Sequence, residues 1–154
     1  KKNLGPAFAA AQIKTKIIVY DHNADRTDYP MSILSDPDAA KYVDGSAFHL
    51  YGGSIDALTE VHNKFPSKNL YFTEQWVGAP GNLAGDLPWH TQMLTVGASR
   101  NWCKTVLEWN LAANPSNDAT ASGAIRPPAA SFSKRINCVE VRMASSATLM
   151  PAAA

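Results

Sequence analysis

With 154 residues, 45% of them hydrophobic and 18% charged, the chain has the balance of one globular domain. Lys plus Arg number 14 against 13 Asp plus Glu, and a net charge of +1 supplies no basic field of the kind nucleic-acid binding needs. The two cysteines, Cys103 and Cys138, lack CxxC spacing, so neither a zinc site nor a disulfide framework is read from them. The sequence has no run of about 18 apolar residues and no charged start followed by an apolar stretch, the marks of a membrane helix and a signal peptide. It opens Lys1-Lys2-Asn3 without methionine, from which we expect that upstream sequence was lost or processed.

In chain order, the first apolar stretch is Lys16-Ile17-Ile18-Val19-Tyr20, which reads as a buried strand ending in Asp21-His22-Asn23. Asp36-Pro37 then gives an N-cap and a first-turn proline to a short helix over 38–43. A second strand, Ser46-Ala47-Phe48-His49-Leu50-Tyr51, runs into Gly52-Gly53. Ser54 is the expected N-cap of a helix whose apolar face is Ile55, Leu58, Val61, His62 and Phe65, stopped by Pro66. The third strand is Asn69-Leu70-Tyr71-Phe72, ending in Glu74-Gln75-Trp76. Asp86-Leu87-Pro88 is the expected start of a helix through Trp89, Met93, Leu94 and Val96. Thr105-Val106-Leu107-Glu108-Trp109 is the fourth strand.

Strands alternating with helices predict an α/β fold with a parallel sheet. A nucleotide-binding sheet would carry GxGxxG or GxxxxGK[ST]; neither occurs, and Gly52-Gly53 are read as turn residues. Each strand instead finishes in polar or aromatic residues, as expected where strand ends form the active-site face of a (β/α) barrel. Beyond Thr120 alanine and serine dominate and periodicity is lost. Residues 119–154 are therefore expected to be an irregular tail that contains at most one strand, over 136–143.

Three motifs identify the pattern: Ala47-Phe48-His49-Leu50-Tyr51, Leu70-Tyr71-Phe72-Thr73-Glu74-Gln75-Trp76 and Leu107-Glu108-Trp109-Asn110-Leu111-Ala112. In this order, on successive predicted strands, they resemble glycoside hydrolase family 30, the glucosylceramidase family, over residues 4–117. The resemblance implies that residues 1–118 form the C-terminal half of a (β/α)8 TIM barrel, about strands five to eight. It also implies a retaining β-glycosidase of the glucosylceramidase type.

By that resemblance Glu74 takes the place of the nucleophile, since a retaining glycosidase needs a carboxylate to attack the anomeric carbon. Tyr51 and His49, on the preceding strand, are expected to donate hydrogen bonds that keep Glu74 ionised. Trp109 matches the family's aromatic sugar floor, with Asn110 beside it, while Asp21 and His22 are expected on the aglycone side. Glu108 should point away from Trp109 by strand alternation, and His62 and His90 are expected on outer helix faces. Asp21, His22, His49 and Glu74 show no metal-ligand spacing, so no metal and no cofactor are expected.

Retaining chemistry also needs a second carboxyl roughly 5 Å from the first. The family's Asn-Glu-Pro acid/base motif does not occur in the 154 residues. From this we expect a fragment that holds the nucleophile without its acid/base, is inactive when isolated, and has open barrel edges prone to self-association. The alternative is a non-catalytic carbohydrate-binding half-barrel. The expected ligands are β-glucosides or glucosylceramide, not nucleic acid, in a secreted or periplasmic setting implied by the family alone. The residues do not choose among glucosylceramide, other β-glucosides and β-1,6-glucans.

Overall fold

Stretches rich in β-branched and aromatic residues form a five-stranded sheet in the computed structural model, which describes residues 1–76, 81–109 and the backbone of 140–142. Four strands are parallel neighbours in sequence order: β1 (Ile17–Ala24), β2 (Val43–Gly53), β3 (Asn69–Glu74) and β4 (Cys103–Leu107). This is the strand order of a barrel wall, with helices in the crossovers. A fifth strand, β5 (Glu140–Arg142), pairs antiparallel with β4 from within the region expected to hold one late strand. The rest of the expected tail, together with Asn110 and Cys138, lies outside the described residues.

The core lies between the sheet and its helices. Leu70, Phe72, Phe48 and Leu50 alternate along β3 and β2 to reach one face, where they join Leu58 and Val61 of α4 (Ala57–Lys64) and Leu94. Phe48, Phe72, Leu58, Leu94 and Val61 are fully shielded from solvent. Burying each such side chain contributes about 1.5–3 kcal/mol.

The helices depart from the sequence reading in their limits. At α3 (Pro37–Ala40), Asp36 Oδ1 accepts the Asp38 N–H at 3.0 Å, the expected cap, but the helix stops at Ala40. Before α4 the chain makes successive i to i+3 bonds from Ser54 to Asp56, so Asp56, not Ser54, is the N-cap residue. The helix expected to start at Asp86 starts earlier, as α5 (Leu83–His90). There Asp86 lies inside the first turn, and its Oδ2 accepts the Asn82 N–H at 2.6 Å. Pro88 inside α5 has no N–H to donate, and the chain continues as a π-helix over Thr91–Ala98.

Two short helices, α1 (Leu4–Ala10) and α2 (Asp28–Leu34), had no counterpart in the sequence reading. Each has seven residues, too few for helical periodicity to stand out. Gly5 of α1 is needed for packing, because a Cβ there would lie 2.4 Å from Tyr42 Cγ.

Register shifts leave certain strand residues over. Ile17 pairs with Val43 but Ile18 with Gly45, so Asp44 is extra; Tyr20 pairs with Ala47 but His22 with Phe48, so Asp21 is extra. Phe48 pairs with Phe72 but His49 with Glu74, which leaves Thr73. Such bulges re-aim side chains at the cost of a ladder bond. All of these leftover residues carry polar networks: Asp44 at the entry ends of the strands, Asp21 and Thr73 at the exit ends.

Candidate active site

The exit ends of β1, β2 and β3 and the residues just past β4 converge on a polar cluster. Glu74 closes β3 and is partly buried. The Tyr51 phenol, from β2, donates to Glu74 Oε1 at 3.2 Å. Desolvation, then the charge of Glu74 and the hydrogen bond to it, push the Tyr51 phenol up to about 12. Tyr51 therefore stays protonated, and a donor, throughout the neutral range.

His49 does not bond Glu74, contrary to the sequence reading. Its Nε2 faces Asp21 Oδ1 at 3.1 Å, and the same oxygen accepts from Thr73 Oγ1 at 2.7 Å. The Thr73 hydroxyl and then His49 hold the Asp21 carboxyl below its ordinary value, against the opposing effect of burial. A carboxylate only accepts, so His49 carries its proton on Nε2. The physical reason for the departure is the bulge in β1. Tyr20 and Asp21 both adopt positive φ, 84° and 59°, and this turn brings the Asp21 carboxylate across the end of β2. Asp tolerates that backbone better than most residues, but a bulky Tyr rarely adopts it, and the strain at Tyr20 lies beside the site. The His22 ring lies nearly parallel to that of His49, 6.3 Å between centroids.

Trp109 stands just past β4 and is 54% exposed, open to a ligand. The Trp109 backbone N–H donates to the Gln75 backbone carbonyl at 2.8 Å, fixing the residue beside the nucleophile candidate. Glu108, also just past β4, meets His90 Nδ1 at 2.9 Å, and its charge reaches Tyr51 as well. His90 is thus not an outer-face residue remote from the strand ends: it closes α5 against the end of β4. His62 does lie apart, stacked 3.9 Å from the Trp102 ring beside the start of β4. The sequence reading missed Thr73, Asn23 and Gln75 as members of the cluster. Their only signal was adjacency to Glu74 and to the polar end of β1. Among the described residues no three His, Cys, Asp or Glu side chains are grouped to hold a metal ion, and no helix is long and apolar enough to cross a membrane.

The family model for the glycosyl hydrolase family 30 TIM-barrel domain matches residues 1–119. The chain belongs to glycosyl hydrolase family 30. Among its relatives, an endo-1,6-beta-D-glucanase of Neurospora crassa is 36% identical over 126 residues, covering 80% of this chain and 25% of that protein. Putative glucosylceramidase 4 of Caenorhabditis elegans is 35% identical over 121 residues, 71% of this chain and 23% of the relative. Among solved structures, the endo-beta1,6-glucanase BT3312 superposes with a TM-score of 0.68 at 36% identity, over 71% of this chain and 26% of that one. The chain therefore spans about a quarter of the length of these family 30 relatives, and its sheet is part of a family 30 barrel.

Proposed function

We propose that this family 30 chain carries the nucleophile side of a retaining β-glycosidase site, with Glu74 as the attacking carboxylate and β-1,6-linked glucan as the substrate class. The observation that carries the reading is the Tyr51 hydrogen bond of 3.2 Å to Glu74 Oε1 at the mouth of the sheet. A phenol that stays protonated holds the carboxylate in one orientation and leaves its other oxygen free to attack the anomeric carbon. Trp109 stacks on the apolar face of the sugar, which leaves the hydroxyls for polar partners such as Asn110 after it. Asp21, His49 and His22 meet the aglycone side. The glycosyl-enzyme formed at Glu74 is then hydrolysed by water.

Support for the glucan comes from the relatives named endo-1,6-beta-D-glucanase, which match up to 80% of the chain. Glucosylceramide is the second reading, supported by relatives such as the lysosomal acid glucosylceramidase of Mus musculus, 36% identical over 85 residues. No Asn-Glu-Pro occurs in the sequence, so on this reading the general acid comes from outside these residues. Without it the rate falls by roughly two to four orders of magnitude. A secreted or envelope setting goes with a polymeric substrate.

The test joins the chain to the N-terminal barrel strands of an endo-1,6-β-glucanase relative and treats the product with a β-glucose-configured epoxide inactivator. Peptide mass mapping is expected to find the adduct on Glu74, and Glu74→Gln to abolish it. Hydrolysis rates on β-1,6-glucan and on glucosylceramide then separate the two substrates. If the relative's intact barrel is labelled and the joined barrel is not, or is labelled at another residue, the assignment of Glu74 fails and a carbohydrate-binding role replaces it.

A further inference from the structure

Leu50, Tyr51 and Gly52 occupy an unusual stretch of β2. The pairing with β3 ends at His49 and Glu74, and the pairing with β1 passes from His49 directly to Gly53. Main-chain ladders therefore miss the residues that carry the Tyr51 phenol to Glu74. Backbone N–H groups in a strand point alternately to its two sides, and here both sides are met by carboxamides. The Leu50 N–H donates to Gln75 Oε1 at 3.2 Å, toward β3, and the Tyr51 N–H donates to Asn23 Oδ1 at 3.1 Å, toward β1. Gln75 is buried, 6% exposed, although amides are rarely placed there without a bonding role. The Gln75 backbone carbonyl also takes the Trp109 N–H at 2.8 Å, so one residue ties the ends of β2, β3 and β4 together.

We propose that Asn23 and Gln75 are positioning residues, a pair of carboxamides that replace the missing ladder around Leu50 and Tyr51 and so set the phenol against Glu74. The inference rests on the reading of Glu74 as nucleophile. It adds that this contact is controlled from two residues that touch neither sugar nor the reacting atoms. Gln75 acts from the side of β3 and Asn23 from the side of β1, so each can be removed separately.

The test follows the Tyr51 phenol by 13Cζ NMR titration in the 154-residue chain, with no turnover required. In the unaltered chain it is expected to titrate at about 12, raised first by burial and then by the charge of Glu74 and the bond to it. Glu74→Gln is expected to remove the Glu74 part and bring it down toward, but not to, the ordinary phenol value of 10. Gln75→Met and Asn23→Leu keep side-chain bulk but remove the acceptor oxygen, and each is expected to move Tyr51 in the same direction. Asn101→Leu, which removes a different buried amide at the far end of the sheet, is expected to leave it in place. Should Gln75→Met not fold, the half-buried Asn23 decides alone. Titration of Tyr51 at its original value in the Asn23 and Gln75 variants overturns the clamp, as does an equal shift in Asn101→Leu. A Tyr51 that ignores Glu74→Gln instead removes the contact itself, and with it the reading of Glu74 that the clamp was built on.

Discussion

Replacing Asp44 by asparagine removes the one negative charge from the network at the entry ends of β1, β2 and β3. Asp44 Oδ2 accepts from Asn69 Nδ2 at 2.8 Å and from the Tyr71 hydroxyl at 2.5 Å, and Lys16 Nζ lies 2.8 Å from Oδ1. Burial pushes the Asp44 carboxyl up, but the bonds from Asn69, Lys16 and Tyr71 outweigh it and hold the group at about 2 against an ordinary 3.8. At about 1.4 kcal/mol per pH unit this corresponds to roughly 2.4 kcal/mol, and screening through the open side of the network reduces it to about 1–2 kcal/mol. Because the folded carboxyl is the stronger acid, the stabilisation is complete above the unfolded value near pH 4. It disappears as the pH falls toward 2. Urea unfolding followed by tryptophan fluorescence at pH 7, 4, 3 and 2 measures it. The Asp44→Asn variant is expected to be less stable by about 1–2 kcal/mol at pH 7, with the difference closing by pH 2. A difference that persists unchanged to pH 2, or none at pH 7, refutes the reasoning. Lys16 is exposed, and Lys16→Met is expected to cost far less than Asp44→Asn.

Three further outcomes are expected. Gln12 has φ 55° and closes α1 with paired bonds, its own N–H to Ala9 O at 3.2 Å and the Ile13 N–H to Phe8 O at 2.9 Å, a helix end that favours glycine. Gln12→Gly is expected to raise stability by about 0.5–1 kcal/mol in the same urea assay. Gly53 has φ 87°, and a Cβ there would lie 2.3 Å from the Ala24 carbonyl carbon, so Gly53→Ala is expected to cost about 2–4 kcal/mol and to lower the thermal midpoint by several degrees. Burial pushes the Cys103 thiol up. In a Cys138→Ser background it is expected to react with a thiol reagent only at the rate of unfolding, read by comparing labelling in buffer and in denaturant.

The parallel strand order was legible because apolar, β-branched segments recur between helical stretches, and every predicted strand is present. Their exit ends differ by a few residues. Gly52 and Gly53 look like turn residues, yet β2 runs to Gly53 and β1 one residue past Asn23 to Ala24, whereas β3 and β4, read to Trp76 and Trp109, stop at Glu74 and Leu107. The type of each residue gave no sign of the bulges, since register depends on both partners at once. His49 was therefore expected at Glu74 and stands against Asp21. His90 was placed on an outer face because it lies on a predicted helix away from the strand ends, but it closes α5 and meets Glu108 just past β4. Glu74, Tyr51 and Trp109 were legible from the motifs around them. Gln75 was not, because an amide beside a carboxylate carries no chemical signature until its partners are known.

A ladder written in main-chain atoms is the same whatever the residues are, so mutation scarcely reaches it. Around Leu50 and Tyr51 the ladder is written in side chains, and each rung is encoded by a single codon. Substitution at 23 or 75 can therefore shift the phenol against the carboxylate by a fraction of an ångström while Phe48, Phe72 and the helices beneath them stay put. The mouth of this sheet is open to change one residue at a time, and the wall that supports it is not.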